Sequence, residues 1–181
     1  MIAAIRNRIF QKHYARLLSR QTARRPNVNT FSTVTILVEG ENARASDLRA
    51  AKKYFEQHQI QAYPYLVDQS EKGIDHEGVS VISRENCTWY GVPNQELLIN
   101  WLAQKTDLLI TSNPNDLPLL RYLNASSNSR LKASLAYETS VDPAISLYVQ
   151  TDKPERVSIK KQSEIILSTL QQIGLKTNNA A

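Results

Sequence analysis

The chain has 181 residues, 41% of them hydrophobic, which is enough to bury one sizeable core. Its single cysteine, Cys87, excludes an intrachain disulfide and a multi-cysteine zinc site, and no run approaches the ~18 apolar residues of a membrane span. The formal charge of +5 is unevenly placed. Residues 1–30 hold Arg6, Arg8, Lys12, Arg16, Arg20, Arg24 and Arg25 with no acid, a net +7, which leaves 15 basic against 17 acidic residues elsewhere, a net −2.

Residues 2–20 lack proline and glycine and predict a helix. Arg8, Lys12, Arg16 and Arg20 recur every fourth position, while Phe10, Tyr14, Leu17 and Leu18 follow i, i+4, i+7, i+8 on another face. Ile2, Ile5 and Ile9 form a second apolar stripe out of line with the first. A secretory signal would need a continuous apolar stretch that is missing here, whereas an acid-free, Arg-rich segment has the composition of an organelle presequence. The same charges suit anionic lipid or nucleic-acid phosphate. The plainer expectation is a helix that packs its Phe10 and Leu17 side on the body and leaves a solvated basic face. Residues 21–31, with Pro26 and several Asn and Thr, predict a linker.

Residues 33–38 are β-branched and predict the first strand, closed by Glu39 and Gly40. A helix is expected over 45–59, capped by Ser46, with Leu48, Ala51, Phe55, Ala50 and Tyr54 as its apolar stripe. The second strand, 62–67, contains Pro64, which removes a ladder donor and predicts an edge or a bulge. A polar, turn-rich stretch leads to a third strand at 79–83. A helix over 93–104 carries Leu97, Leu98, Trp101 and Leu102. Residues 107–111 read as a strand covered on both faces, because a short apolar run between charged and turn-forming neighbours fits a parallel sheet. A helix from 116 to 125, strands at 131–137 and 144–149, and a helix over 158–173 complete the pattern. The last helix should turn Ile159, Ile165, Ile166, Leu170 and Ile173 inward and stop at Gly174. Five or six strands alternating with helices predict an α/β class, a three-layer Rossmann-like and mostly parallel sheet. The expected division is a basic helix and linker (1–30), a single α/β domain (31–175) and a disordered tail (176–181).

The run Thr88-Trp89-Tyr90-Gly91-Val92-Pro93, together with Asp107-Leu108-Leu109-Ile110 and Tyr122-Leu123, resembles a bacterial family of domains of unknown function. That family shares a basic N-terminal helix, a W-x-G turn and a D-x-L-I strand. The resemblance covers nearly the whole chain and implies a fold and a bacterial origin, with no reaction attached. The family often has asparagine where Thr111 stands here, and glycine where Ser134 stands. More distantly, the D-L-L-I strand and its following helix look like part of the Rossmann halves of nucleotide-sugar glycosyltransferases.

Ser112, Asn113, Asn115 and Asp116 follow the 107–111 strand, where open α/β sheets bind ligands, and a ligand there would also meet a helix N-terminus. The same residues cap helices routinely, and Pro114 and Pro118 suit the start of one. Trp89, Tyr90 and Trp101 could stack a base or sugar, although Gly91 and Pro93 also suit a turn that lays a large ring over the core. Tyr90 is the ring expected to face outward. Glycines 40, 73, 78, 91 and 174 are never clustered as a phosphate-cradling loop requires. Asp75, His76 and Glu77, near Asp68 and Glu71, read as a solvated acidic loop rather than a metal site. Cys87 has no histidine near it in sequence to make it a nucleophile. These features predict a non-enzymatic cytoplasmic binding or interaction domain without cofactor or metal. Its basic helix (Arg6, Arg8, Lys12, Arg16, Arg20, Arg24, Arg25) would meet an anionic surface: the inner membrane leaflet, RNA or an acidic protein. The alternative is a nucleotide- or nucleotide-sugar-binding enzyme using the edge at 112–116.

Overall fold

A computed structural model of the chain describes residues 2–21, 30–40, 45–68, 78–111, 117–136, 143–150 and 157–177. Helix α1 (Ile2–Gln21) leads to strand β1 (Thr30–Phe31), β2 (Thr33–Glu39), α2 (Ala45–Gln57), β3 (Gln61–Asp68) and β4 (Ser80–Ser83). A single 3-10 turn (Arg84–Asn86) precedes α3 (Gln95–Ala103), β5 (Leu108–Thr111), α4 (Pro118–Ser126) and β6 (Leu131–Ala136). β7 (Leu147–Gln150), α5 (Ile159–Gln172) and β8 (Lys176–Thr177) follow.

Six strands form one sheet in the order β4-β3-β2-β5-β6-β7, and every neighbouring pair is parallel. Numbered along the chain, these strands run 3-2-1-4-5-6, the order of the doubly wound dinucleotide-binding folds, so the expected Rossmann-like α/β class holds. The order reverses between β2 and β5, which pair from Val34↔Leu108 to Leu37↔Thr111. β1 and β8 make a separate two-stranded parallel ladder, Thr30↔Lys176 and Phe31↔Thr177.

Strand alternation sorts the sheet into two faces. Val34, Ile36, Val38, Leu66, Leu108, Ile110, Ala133 and Leu135 pack with Leu48, Ala51 and Phe55 of α2 and with Ile159, Ile166, Leu167 and Leu170 of α5. Leu37, Val67 and Leu109 point the other way, toward Trp101 of α3 and Leu119, Leu120 and Leu123 of α4. The buried Lys132 sits below α4. Its Nζ donates to the carbonyls of Asn124 (2.6 Å) and Ala125 (3.4 Å), while the Trp101 indole donates to Leu123 O (2.9 Å). The last carbonyls of a helix lack a partner within it, and Lys132 supplies one to Asn124 and Ala125 where water cannot, while Leu123 O also accepts from Ser127 N (2.9 Å).

α1 is docked on this second side. Phe10 and Tyr14 are each 3% exposed and cluster with Val92, Tyr122, Ala125 and Ala144. The Phe10 ring stacks on Tyr14 at 5.8 Å and meets Tyr122 at 6.3 Å, and the Arg121 guanidinium lies 4.7 Å above the centre of the Tyr14 ring. Burying rings of this size stabilises by about 1.5–3 kcal/mol each. α1 therefore packs against α4, as the plainer expectation held, with Phe10, Tyr14 and Leu17 facing the body.

Several local expectations need correction. β3 is not an edge strand, yet its ladder with β4 begins only at Tyr65↔Ser80, so Pro64 lies where the sheet has one neighbour and no donor is missed. Ser46 lies inside the first turn of α2, and Ala50 is on its wet side. Ile173 is 60% exposed because the chain turns away there: Gly174 adopts φ +92° and Leu175 N donates back to Leu170 O (3.0 Å). Lys176 and Thr177, expected in a disordered tail, form β8.

Candidate functional site

Three places can be built from the sequence upward. The first is the carboxyl edge of the sheet at its switch point, between the end of β2 and the end of β5. Thr111 is fully buried, and its carbonyl accepts a hydrogen bond from Ser134 Oγ (2.9 Å), which ties β5 to β6 at this edge. Gly40 follows β2, and a Cβ there would approach Val67 O and Asp68 Cβ at 3.4 Å, so glycine lets the chain turn closely over β3. Ser112, Asn113, Asn115 and Asp116 lie outside the described residues, as do Asp75, His76 and Glu77. Among the described residues, no group of three or more His, Cys, Asp and Glu is placed to hold a metal ion.

The second place is the amino edge of the same two strands. An open hollow of about 400 Å³ is lined by Lys105, Thr106, Asp107, Asn128 and Arg130. Asp107 serves the fold here. Its Oδ2 accepts from Ser32 N (2.9 Å), Thr33 Oγ1 (3.0 Å), Thr33 N (3.2 Å) and Ser32 Oγ (3.3 Å), and Arg130 lies 3.5 Å from Oδ1. Partial burial pushes this carboxyl up, but the donors from Ser32, Thr33 and Arg130 together outweigh it and hold it below its ordinary range. A chain of hydroxyls runs alongside: Thr35 to Thr106 (3.0 Å), Thr106 to Ser129 (2.8 Å) and Ser127 to Ser129 (2.9 Å). The polar groups of this edge thus answer one another and lock the start of β2 to the start of β5. Nearby, Asn124 is fully buried, and its side-chain amide has no hydrogen-bond partner among the described residues.

The third place is the turn that carries the Trp-Tyr-Gly motif. Cys87 and Pro93 form an antiparallel bridge at its base. Within it, Thr88 N and Thr88 Oγ1 donate to Val92 O (2.8 and 2.9 Å), Val92 N donates to Thr88 Oγ1 (3.2 Å), and Gly91 N closes on Thr88 O (2.9 Å). Gly91 has φ +82°, a conformation side chains disfavour, which gives the motif its glycine. The outward ring at the tip is Trp89, whereas Tyr90, expected to face outward, packs against the cluster of Phe10, Tyr14 and Val92. Trp89 does not lie over the core; it is 62% exposed and meets the half-buried Tyr90 edge to face at 5.4 Å. Tyr90 in turn stacks on His13 of α1, with ring centres 5.9 Å apart and planes within 24°. Trp101, by contrast, is a core residue.

Along α1 the side chains of Arg6, Arg8, Lys12 and Arg16 are exposed, while Arg24 and Arg25 lie outside the described residues and Arg20 is placed only as part of the helix. The structure therefore brings Tyr90 to the basic helix, an association the sequence did not signal because the two lie far apart in the chain. Cys87 carries no nucleophile's signature. It is half-buried, its Sγ lies 3.7 Å from Ser83 O, and burial pushes the thiol up to about 11, so it is protonated at neutral pH.

No helix among the described residues is long and apolar enough to cross a membrane. Neither curated proteins nor solved structures provide a match to the chain. A family model does match, over residues 6–170, a span that takes in most of α1, the Trp-Tyr-Gly turn, the Asp107 strand and nearly all of α5. The chain belongs to a family of unknown function, DUF6913.

Proposed function

We propose that the chain is a binding domain that meets a polyanionic surface through the solvent side of α1; anionic lipid, RNA and an acidic protein have the matching chemistry. The division of α1 carries this reading. Its rings, Phe10 and Tyr14, are buried against the body, while Arg8, Lys12 and Arg16 stand in water at successive steps of four residues, about 6 Å apart along the axis. A helix held by its apolar side presents those charges at fixed spacing, and no acid occurs before Glu39 to offset them in sequence. Binding of this kind weakens with salt as counterions are released. Replacing Arg8, Lys12 and Arg16 together by alanine should lower the salt slope of polyanion binding by about 2–3, at roughly 0.7–0.9 per lost phosphate contact. An unchanged slope would exclude the helix as the binding face.

The strand order supports a second reading. A 3-2-1-4-5-6 sheet binds nucleotides at its switch point, which here lies between β2 and β5. On this reading Ser112, Asn113, Asn115 and Asp116 meet the ligand. A nucleotide or nucleotide sugar at ~100 times its dissociation constant should stabilise the protein by about 2.7 kcal/mol in a thermal-shift screen. A flat screen removes this reading and leaves the first untouched.

A further inference from the structure

We propose that the Trp89 turn and the cationic side of α1 form one track for single-stranded nucleic acid, on which an unpaired base stacks against the Trp89 indole. The inference rests on the polyanion reading above and adds to it the ligand class and a second set of contacts. An indole 62% exposed forgoes the burial that a ring of its size ordinarily gains, and looseness of the turn is not the cause. The turn is stiff instead. The Cys87–Pro93 bridge and the double tie between Thr88 and Val92 fix its base, and Trp89 rests on Tyr90, which rests on His13. A ring already held in place loses little freedom when a base stacks on it.

His13 joins the turn to the helix. It lies between Lys12 and Arg16 in sequence, one residue after the first and three before the second, so the aromatic series ends beside the exposed cations. Cations that follow a phosphate backbone and an aromatic face open to a base are the two parts of sequence-tolerant single-strand binding. A duplex keeps its bases stacked inside and offers no face to the indole. A membrane fits less well, because an interfacial helix inserts a broad apolar side, and here Phe10 and Tyr14 are buried against α4 and its neighbours, which leaves Ile5 as the large apolar side chain of α1 that is exposed among the described residues.

The test uses the full chain with four probes: a short labelled oligouridylate, a duplex RNA, inorganic polyphosphate, and vesicles containing phosphatidylserine. Trp89→Ala should weaken oligouridylate binding about 5- to 100-fold, which is the stacking range, and leave polyphosphate binding as in the unaltered chain. Trp89→Phe should recover part of the loss. The triple replacement of Arg8, Lys12 and Arg16 by alanine should weaken both ligands. Equal oligouridylate binding by Trp89→Ala and the unaltered chain overturns the stacking track, and the cationic reading then stands or falls with the triple variant. Equal loss of polyphosphate binding in Trp89→Ala overturns it too, since the residue would then act on the helix rather than on a base. Preference for the duplex or for vesicles over the oligonucleotide assigns the surface to another partner and likewise ends the proposal.

Discussion

The side of the sheet under α2 and α5 and the side under α3 and α4 are built on different principles. Beneath α2 and α5, every inward side chain of the central strands is apolar, from Val34 and Ile36 to Ile110 and Ala133. Beneath α3 and α4, Thr35, Thr111, Lys132 and Ser134 are buried among Leu37, Val67 and Leu109. The first side is held by volume, which is indifferent to direction. The second is held partly by directed bonds, from Trp101 and Lys132 to the end of α4, and α4 is also the element on which α1 docks. Placing α1, and the charges it presents, thus depends on polar groups that a purely apolar layer could not supply.

Four substitutions test that contrast. Phe55→Ala, on the apolar side, should lower stability by about 3–5 kcal/mol in denaturant melts with an unchanged slope. Lys132→Met keeps most of the volume but takes the donor from the carbonyls of Asn124 and Ala125, and a loss of about 1–3 kcal/mol is expected. If that variant proves neutral, the second side is as volume-driven as the first and the contrast fails. Asp107→Asn should cost about 1–2 kcal/mol at neutral pH, because three of the four donors to Oδ2 are backbone or hydroxyl groups of Ser32 and Thr33 within 3.2 Å. The folded carboxyl lies below its unfolded value, so its contribution is complete above pH ~4 and fades as the pH falls through the folded value. The gap between variant and unaltered chain should therefore close in acid; a gap constant with pH would mean that the donors do not favour the charged form. Asn124→Leu should have the smallest effect, within about 0.5 kcal/mol or stabilising, since the amide it removes is buried without a partner among the described residues. A larger loss would show that the amide holds a group such as a buried water.

The layered sheet was legible because its signals are local. Residues 33–38, 62–67 and 107–111 carry short apolar or β-branched runs between turn formers, and each lies within about a residue of an observed strand. The Phe10 and Tyr14 spacing likewise foretold which side of α1 would be buried. What escaped depends on the third dimension. Pro64 sits in an interior strand because β4 starts one residue later, and no sequence pattern fixes where a neighbouring ladder begins. Asp107 read as the polar flank of a strand, and only pairing with β2 reveals it as an acceptor for Ser32 and Thr33, some 75 positions away. Trp89 was expected over the core because large rings usually are, while it stands 62% exposed at the tip of its turn. The site expected at 112–116, read from the polar residues that follow the 107–111 strand, lies outside the described residues and stands as a proposal.

The small ladder between β1 and β8 bears on how the protein is made. Phe31 is 2% exposed and shares a cluster with Leu175, so a hydrophobic residue synthesised early is covered by a segment that leaves the ribosome far later. Until then the beginning of the sheet has an open flank, and a nascent or stalled chain ending before Leu175 would display an aromatic ring that chaperones and proteases recognise.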